Sequence, residues 1–526
     1  MEQQINFPER FNAAEHFVDR NVDLGFGGKT AIYFGDERIT YREVMENVNR
    51  TGNALLSLGV GLEDRVMLLL PDSPEFVYSF FGAMKIGAVP IPTNTMLKPS
   101  DYRYLLNDSR AKILVVSRDL LPNITGIAAD LLYLKQIILA GEPEDGTIDF
   151  YDLIKKSSTV LTAAKTSPDD TAFWLYSSGT TGFPKGAVHL HHDMIYCAEN
   201  YAKGVLDIRE SDITFSVAKL FFAYGLGNGL YFSFHVGAST VLTPQRPVPE
   251  HVFEVVTRYR PTLFFGVPTS YAALLQVDDA EKKYDLGSIR YCVSAGEALP
   301  SAIYLQWKEK FGLEILDGIG STEILHIFIS NRPGMAKPGS SGLMVPGYEA
   351  KIVDYDGNPV ARGLVGTLMV KGDSIAAYYW NKHKKTKETF IGEWINTGDQ
   401  YYQDEDGYFW HVGRGDDMIK AGGIWVSPVE VENALMSHPA VLECGVVGSP
   451  DDDGLYKPKA YVVFKSGVKA TEVLLDELKI FVKSSIAPYK YPRWIEPVQE
   501  LPKTATGKIQ RYKLREMDRN KKIPVA

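Results

Sequence analysis

The chain has 526 residues, of which 45% are hydrophobic and 23% charged, which is ordinary for a globular protein of two or more domains. Its net charge of −9 argues against a nucleic-acid surface, because phosphate backbones are bound by clustered Lys and Arg. Cys197, Cys292 and Cys444 are far apart in the sequence, so neither a disulfide framework nor a zinc site is predicted.

Targeting signals are not evident in the sequence. The N-terminus lacks a basic region followed by an apolar core, and the C-terminal Ile-Pro-Val-Ala is no peroxisomal address. The longest apolar regions, near 76–92 and 213–241, are interrupted by Lys85, Lys219 and His235, which predicts buried core rather than a membrane span. We therefore expect a cytoplasmic enzyme with no membrane partner.

The first 170 residues alternate between strand and helix patterns. Residues 31–39 predict a hairpin, and Thr40-Tyr-Arg-Glu43 is a capping box that opens an amphipathic helix through about Leu58. Apolar runs then predict strands at 64–70, 112–117 and 136–139 and a helix at 73–85. Such alternation favours α/β layers with largely parallel sheets.

Glycines and hydroxyls cluster in the segment from Tyr176 to Gly186. It follows an apolar strand pattern at 171–176 and holds four Ser/Thr hydroxyls, three glycines and Lys185. Glycine lets backbone N–H groups converge, hydroxyls donate and lysine adds charge, so the segment suits a polyphosphate. It is not a Walker A loop, because Pro184 precedes the lysine. The alternative for such a segment alone is a flexible surface loop.

The alternation continues after this segment and then changes. Strands are predicted at 261–266, 289–294 and 313–316 and a helix at 301–311, whereas short strands and Asp-Gly turns past residue 350 indicate a β-rich unit. From residue 426 a compact α/β module is predicted, with helices at 428–437 and 472–485 and strands at 441–447, 459–464 and 490–496. We place the boundary in the glycine-containing segment 413–418, giving domains 1–415 and 416–526.

Two further motifs each follow a predicted strand. Ser294-Ala-Gly-Glu297 allows close approach of a flat ligand, and Asp317-Gly-Ile-Gly-Ser-Thr-Glu323 sets a carboxylate beside a hydroxyl, which suits magnesium and phosphate. The structural alternatives are an ordinary turn and a capping Thr-Glu pair.

The C-terminal part carries three more candidate segments. Asp399 follows a glycine at a turn, which alone is unremarkable, but Arg414, fifteen residues on, adds a guanidinium as a second hydrogen-bonding group. The glycines of Lys420-Ala-Gly-Gly423 permit close approach of a narrow ligand, and Gly and Thr in the segment 501–511 place Lys508 at a loop tip. A loop between strands and a solvated surface lysine are the alternatives.

Imidazoles are dense in His189-Leu-His191-His192. No nearby Cys or acidic pair completes a metal site, so we do not predict a metal there.

Five of these motifs, in this order between residues 176 and 511, resemble those of the acyl-adenylate-forming superfamily. The resemblance implies a large N-terminal domain of two α/β subdomains and a small β subdomain, followed by a mobile α/β C-terminal domain. The catalytic residues that it implies are Lys508, Thr181, Glu323 and Lys185, with Glu323 as the Mg²⁺ ligand. The implied contacts to ATP or AMP are Ser177, Ser178, Gly179, Thr180, Glu297, Asp317, Gly318, Ile319, Thr322, Asp399 and Arg414. Asp416 is the implied hinge, and the implied CoA channel comprises Lys420, Gly422 and Gly423.

Two segments, 220–228 and 317–327, resemble the aryl-CoA ligase branch and above all benzoate–CoA ligases. The resemblance implies an aryl pocket of small residues around one aromatic side chain: Ala223, Tyr224, Ala295, Gly296, Gly320, His326 and Ile327. The sequence departs from the superfamily at Ile319, where an aromatic that stacks on adenine is usual, and at Asn396, where Arg is common.

The implied function is ATP-dependent ligation of benzoate, or of a small substituted benzoate, to CoA through an acyl-adenylate, with Mg²⁺ as cofactor. Ligases for 4-hydroxybenzoate, aminobenzoates or cyclic carboxylates share the same frame. A stand-alone adenylation partner that loads an aryl acid on a carrier protein is an alternative from another class, while the complete set of motifs disfavours a non-catalytic nucleotide-binding protein. The resemblance also implies a homodimer.

Overall fold

The computed structural model describes residues 5–177, 183–415, 417–421, 424–451, 456–504 and 508–521. An α/β layer forms the first part of the chain. Its strands are β1 (Thr30–Phe34), β2 (Glu37–Thr40), β3 (Arg65–Leu69), β4 (Val89–Pro92), β5 (Ile113–Ser117), β6 (Gln136–Ala140) and β7 (Ile148–Asp149). Its α-helices are α1 (Arg20–Asp23), α2 (Tyr41–Ser57), α3 (Pro74–Lys85), α4 (Pro99–Ser109), α5 (Pro122–Thr125) and α6 (Phe150–Lys155).

The predicted capping box opens α2. The Thr40 side chain accepts from the Glu43 backbone N–H, and the Glu43 carboxylate accepts from the Thr40 backbone N–H at 2.7 Å. Two otherwise unpaired donors at the helix start are thus satisfied. The strands and helices predicted in this part are confirmed to within one or two residues.

The middle of the chain contains the elements that border the candidate site. Its strands are β8 (Thr171–Ser177), β9 (Lys185–Leu190), β10 (Ile213–Ser216), β11 (Ser239–Leu242), β12 (Leu263–Gly266), β13 (Tyr291–Ser294), β14 (Ile315–Gly320), β15 (Ile327–Ser330) and β16 (Leu343–Met344). Its α-helices are α7 (Asp193–Cys197), α8 (Ala223–Leu226), α9 (Phe232–Val236), α10 (Pro249–Tyr259), α11 (Pro268–Leu275), α12 (Ala280–Lys283) and α13 (Ser301–Phe311). A π-helical segment, Gly227–Tyr231, joins α8 to α9.

A β-rich unit and a smaller α/β module follow. The β-rich unit contains β17 (Glu349–Val353), β18 (Gly366–Lys371), β19 (Tyr378–Tyr379), α14 (His383–Thr389), β20 (Phe390–Ile391), β21 (Trp394–Gln403) and β22 (Phe409–Arg414). The module contains β23 (Ile419–Ala421), β24 (Ile424–Val426), α15 (Pro428–Met436), β25 (Val441–Pro450), β26 (Tyr456–Phe464), α16 (Glu472–Ser485), β27 (Trp494–Pro497) and α17 (Arg511–Lys521). The last strand begins later than predicted, because a 3₁₀ turn, Pro488–Lys490, precedes it.

Two large sheets of mainly parallel strands form the core. One has the order β16-β15-β14-β13-β12-β10-β11-β1-β2 and is parallel from β14 to β1, with antiparallel strands at its edges. The other, β4-β3-β5-β6-β7, is parallel throughout. The predicted parallel sheets are therefore confirmed. The carboxyl ends of β12, β13 and β14 meet at one edge, where α/β sheets commonly bind ligands.

Antiparallel pairing shapes the rest of the molecule. Strands β8 and β9 form a hairpin that β19 extends, and β21 joins β18, β20 and β22. In the C-terminal module, β26 lies between β25 and β27. The pairing of β21 with β22 places Asp399 opposite Arg414.

Helix α3 shows why its apolar sequence belongs to the core. Almost all of its residues are buried, and a helix that is apolar on all sides must be covered on all sides. Its only fully buried charge, that of Lys85, lies 2.6 Å from Asp19 and is bonded to Asn49. No helix in the described ranges combines the length and the apolar composition needed to cross a bilayer.

Candidate active site

The two ends of the glycine-rich segment lie side by side. Ser177 ends β8 and Lys185 begins β9, and the two residues are antiparallel partners. The Lys185 ammonium lies 4.5 Å from the centre of the Tyr379 ring. Burial lowers the pKa of Lys185, while the charge of Glu323 raises it. The predicted phosphate contacts between these ends lie outside the described residues: Ser178, Gly179, Thr180 and Thr181.

Glu323 faces these ends from a short 3₁₀ turn, Thr322–Ile324, that follows β14. Its Oε1 accepts hydrogen bonds from Ser177 Oγ at 2.9 Å and from the Tyr379 hydroxyl at 2.7 Å. The structure therefore brings together Ser177, Lys185 and Glu323, three of the residues predicted at the phosphate site.

A magnesium ion fits this arrangement. The described residues contain no group of three or more His, Cys, Asp or Glu side chains that could hold a metal. Mg²⁺ does not need one, because it takes one or two carboxylates together with substrate phosphates and water. Glu323, a carboxylate beside the ends of a phosphate-type loop, is a ligand of that kind.

Asp399 and Arg414 form the second polar cluster. The Arg414 guanidinium lies 3.2 Å from Asp399 Oδ1, and His411 Nε2 lies 3.9 Å from the same oxygen. Burial lowers the pKa of His411, whereas the Asp399 charge raises it. The carboxylate and the guanidinium are thus held together on one sheet, as recognition of a ribose by this pair requires.

The carboxyl ends of the parallel strands supply the third group. Gly266, Ser294 and Asp317 are neighbours in register across β12, β13 and β14. The buried carboxyl group of Asp317 accepts from the Leu299 backbone N–H at 3.2 Å through Oδ2. Gly318 and Ile319 continue β14 and pair with Ser330 and Ile329 of β15. The side chain of Ile319 is only half-buried.

Tyr224 connects the candidate aryl residues to this edge. Its hydroxyl lies 3.1 Å from the carbonyl oxygen of Gly266 and 3.3 Å from that of Val293, the acceptors at the ends of β12 and β13. Ala223 precedes it in α8, and Ala295 and Gly296 directly follow β13.

His326 packs against Tyr224 in a buried aromatic cluster. Its Nε2 lies 3.3 Å from the Tyr224 carbonyl oxygen, and its ring centre lies 5.6 Å from that of Tyr224 and 4.4 Å from that of Phe232. A Cβ at Gly227 would lie 2.5 Å from the imidazole, so only glycine fits there. Burial lowers the pKa of His326 to about 3, so the ring is neutral. Its Nδ1 is buried and accepts no hydrogen bond from the described groups.

The hairpin of β14 and β15 completes this region. Gly320 pairs with Ile327, and a Cβ at Gly320 would lie 2.7 Å from the carbonyl oxygen of His326. The structure thus brings Gly320, His326 and Ile327 together with Tyr224, as the resemblance implies for an aryl pocket.

The C-terminal lysine segment contacts the N-terminal domain at Glu297. The Ile509 backbone N–H donates to Glu297 Oε1 at 2.9 Å, and the Lys508 backbone N–H donates to Thr504 Oγ1 at 3.1 Å. Burial raises the pKa of Glu297, while the Lys508 charge lowers it. Lys508 therefore lies close to the segment that follows β13.

The predicted hinge and CoA channel are only partly described. Asp416, Gly422 and Gly423 lie outside the described residues, and of Lys420 the backbone pairing with Trp425 is described. Beside the hinge position, Asp417 forms ion pairs with Arg515 at 2.7 Å and with Arg511 at 3.6 Å.

The three histidines after the phosphate segment have different partners. His189 bonds Asp193 and the Thr322 carbonyl, and His192 bonds the carbonyls of Pro168 and Asp373. His191 Nδ1 accepts from the Ala13 backbone N–H at 3.1 Å. His189 and His192 also share Asp193, whereas His191 is directed to the N-terminal segment.

Family models match most of the chain. The AMP-binding enzyme model matches residues 20–380, and the model of the AMP-binding enzyme C-terminal domain matches residues 430–508. The chain belongs to the AMP-binding enzyme family. The resemblance to acyl-adenylate-forming enzymes and the fold class predicted from the sequence are thereby confirmed.

Relatives of this AMP-binding enzyme include aryl-CoA ligases. It is 51% identical over 514 residues to a benzoate–CoA ligase of Thauera aromatica, covering 97% of each chain. It is 46% identical to a 4-hydroxybenzoate–CoA/benzoate–CoA ligase of Rhodopseudomonas palustris, covering 96% of this chain and 94% of that one. The crystal structure of the anthranilate CoA ligase AuaEII in complex with anthranoyl-AMP superposes with a TM-score of 0.95, at 47% identity and 98% coverage of both chains.

Two side chains of the AMP-binding enzyme's site were missed in the sequence. Tyr379 donates to Glu323 from a two-residue strand, and His411 lies beside Asp399 on the neighbouring strand. Neither lies in a motif. One sequence signal could have identified His411 as a neighbour of Asp399 and Arg414. It lies three residues before Arg414 in the same strand.

Asp317→Asn should stabilise the AMP-binding enzyme increasingly as the pH rises. Burial raises the pKa of Asp317 to about 8, so the folded protein keeps a proton that the unfolded chain releases near pH 4. Between these values the wild type loses stability with rising pH, by up to about 1.4 kcal/mol per unit, and the amide does not titrate. The urea midpoints of both proteins at pH 5.5 and 8 measure the effect. A difference between variant and wild type that is the same at both pH values would contradict it.

Proposed function

We propose that this chain is an ATP-dependent benzoate–CoA ligase, which converts benzoate, ATP and CoA into benzoyl-CoA, AMP and pyrophosphate. The aromatic cluster of Tyr224 and His326 supports this function most directly. It lies at the carboxyl ends of β12 and β13, the edge that also carries Asp317. Aromatic side chains beside the nucleotide groups suit a flat ring whose carboxylate must reach a phosphate.

The first half-reaction is attack of the benzoate carboxylate on the α-phosphate of ATP. The P–O bond to pyrophosphate breaks as the mixed anhydride forms. Lys185 and the loop hydroxyls, with Thr181 among them, hold the phosphates, and Lys508 stabilises the charge that develops on the pentavalent phosphorus. Asp399 and Arg414 bind the ribose. Glu323 would hold Mg²⁺, which when bound would supply positive charge at the phosphate oxygens.

The second half-reaction is attack of the CoA thiol on the carbonyl carbon of the adenylate, which releases AMP. We divide the chain into domains 1–415 and 416–526 and place the hinge at Asp416. Rotation there withdraws Lys508, since one lysine cannot occupy the route by which pantetheine enters. We assign Lys420, Gly422 and Gly423 to that route from the sequence motif alone. The enzyme works in the cytoplasm, where ATP and CoA are supplied.

A substituted benzoate is the second candidate substrate. The relative from Rhodopseudomonas palustris is a 4-hydroxybenzoate–CoA/benzoate–CoA ligase, and the superposed ligase AuaEII holds anthranoyl-AMP. The buried Nδ1 of the neutral His326 is an acceptor without a described donor, which a hydroxyl or amino group on the ring could supply.

A panel of acids tests the proposed function. AMP formation that depends on CoA is measured with benzoate, 4-hydroxybenzoate, 2-aminobenzoate, cyclohexanecarboxylate and acetate. We expect the highest kcat/KM with benzoate. A higher value for a substituted acid would transfer the assignment to that acid. Pyrophosphate release without thioester formation would instead favour an adenylation partner that loads a carrier protein.

His326→Ala should change the choice of ring. We propose that the acid's ring occupies a slot beside Tyr224 and that the His326 imidazole lies at the far end of this slot, near the meta or para position. Its removal should admit 4-methylbenzoate and weaken benzoate by about 1–3 kcal/mol in kcat/KM, because a small ring no longer fills the space. The ratio of kcat/KM for the two acids is measured in wild type and variant, together with melting temperature. An unchanged ratio, or uniform loss that follows a lower melting temperature, would show a purely structural histidine.

A further inference from the structure

His189 is surrounded by acceptors. Its Nε2 lies 2.8 Å from the carbonyl oxygen of Thr322, and its Nδ1 lies 2.7 Å from Asp193 Oδ2. The same carboxylate oxygen also accepts from the Leu190 backbone N–H at 3.1 Å. The side chains of His189 and Asp193 are both 0% exposed. Both side chains are shielded from bulk solvent, so the partners that the protein supplies decide where their protons lie.

The number of protons follows from these acceptors. A carbonyl oxygen only accepts, so the Nε2 facing Thr322 carries a proton. A second proton must lie between Nδ1 and the carboxylate of Asp193, because two lone pairs at 2.7 Å would repel. The imidazole of His189 therefore depends on Asp193 to donate to Thr322.

The Thr322 carbonyl belongs to the turn that carries Glu323. The next two carbonyls of the turn are also bonded: that of Glu323 accepts from the Ala376 backbone N–H, and that of Ile324 accepts from Ser374 Oγ, both at 2.8 Å. The turn is thus held at three successive carbonyls. Of these three bonds, the one from His189 is the one that connects the turn to β9, the strand of Lys185.

The second anchor of the turn, the segment 373–376, leads to the same carboxylate. His192 Nε2 bonds the carbonyl of Asp373 at 2.9 Å and lies 3.2 Å from Asp193 Oδ1. Asp193 therefore lies between two imidazoles, one of which holds the turn while the other holds the segment that supports it.

The backbone beyond the turn explains why such support is needed. Leu325 has a φ of +70°, a strained conformation that is uncommon for a residue with a side chain. Surrounding contacts must fix a backbone of that kind.

We propose that His189 and Asp193 are positioning residues, which hold the turn of Glu323 in the geometry required for adenylate formation. This role rests on the proposed function. It assigns a purpose to two residues of the histidine-rich segment, His189 and His192, which share Asp193 and bond carbonyls in or behind the turn.

Two substitutions of His189 separate positioning from packing. In His189→Asn the amide reaches only the place of Nδ1, so the bond to Thr322 is lost. In His189→Gln the amide reaches the place of Nε2 and can keep that bond. Pyrophosphate release from benzoate and ATP is measured over a range of Mg²⁺ concentrations. Thioester formation from supplied benzoyl-adenylate and CoA, which needs neither Mg²⁺ nor Glu323, is measured in parallel.

We expect His189→Asn to slow pyrophosphate release about 10–100-fold and to raise the half-saturating Mg²⁺ concentration, as loss of a supporting group at a metal ligand does. Thioester formation should stay near the wild-type rate, and His189→Gln should recover most of the first rate. Equal loss in both half-reactions, or equal behaviour of the two variants, would overturn the positioning role.

His191→Asn is the matched control. It is a buried histidine of the same segment, and its Nδ1 accepts from Ala13, away from the turn. It should lower the melting temperature without changing the ratio of the two half-reactions; a changed ratio would overturn the inference. If His189→Asn does not fold, His192→Ala, at a side chain that is 16% exposed, must show the same selective loss of pyrophosphate release through Asp373. A wild type that forms no benzoyl-adenylate would instead count against the proposed function.

Discussion

Replacing Lys508 with alanine should nearly abolish adenylate formation and leave thioester formation from supplied benzoyl-adenylate largely intact. The bond from Ile509 to Glu297 sets the lysine segment against the nucleotide edge, and the Lys508 charge lowers the pKa of Glu297, which burial raises. A positive charge there acts on phosphorus chemistry and has no task when the thiol attacks. Removing one such group costs about 10²–10³-fold in rate.

Both half-reactions of Lys508→Ala are measured with purified enzyme. The matched control is Lys503→Ala, which removes a lysine of the same motif whose ammonium forms an ion pair with Glu443 at 2.5 Å. The control should retain both rates within a few-fold. Equal loss of the two half-reactions in Lys508→Ala would contradict a specific role of the lysine in adenylate formation.

Local patterns predicted much of the fold. The capping box at Thr40 and the apolar runs that form the parallel strands are patterns of residues only a few positions apart. They can therefore be recognised in the sequence without knowledge of the fold. The late start of β27 shows the limit of this approach. The strand was expected from residue 490, whereas its pairing with β26 begins only at Trp494, after a 3₁₀ turn that ends at Lys490.

Contacts between distant parts of the chain could not be predicted. Tyr379 reaches Glu323 because a two-residue strand, β19, extends the hairpin of β9, and no local pattern indicates so short a strand. His189 resembles a metal ligand in the sequence, yet its partner is a carbonyl 133 residues away. Only the folded chain shows that one acceptor is a backbone group and another a carboxylate.

The backbone conformation of Leu325 could not be predicted from the sequence either. Positive φ is expected of glycine or asparagine, and nothing in Ile-Leu-His predicts it. This backbone conformation affects the candidate aryl pocket, because Leu325 lies between the turn of Glu323 and His326. The resemblance named His326 as a pocket residue, whereas its neutral ring and its buried acceptor Nδ1 came from the structure.

Glu323→Gln should leave the fold intact while removing the charge that we propose binds Mg²⁺. The amide oxygen can still accept from Ser177 and Tyr379, the two donors to Oε1, so the turn keeps its contacts. A neutral amide is a much weaker ligand for a hard cation than a carboxylate. We expect pyrophosphate release to fall at least about 10²-fold and to need more Mg²⁺ for half-saturation.

Comparison with Tyr379→Phe separates the charge of Glu323 from its orientation. That variant removes one hydrogen bond to the carboxylate and keeps the charge, so it should lose only a small part of the rate, in keeping with the ~1 kcal/mol of a typical hydrogen bond. Thioester formation from supplied benzoyl-adenylate should be unchanged in both variants, because the adenylate has already lost its pyrophosphate and no longer needs the ion. If Glu323→Gln kept the wild-type dependence on Mg²⁺, the ion would have to be bound elsewhere. If it slowed both half-reactions alike, Glu323 would act through the shape of the turn rather than through its charge.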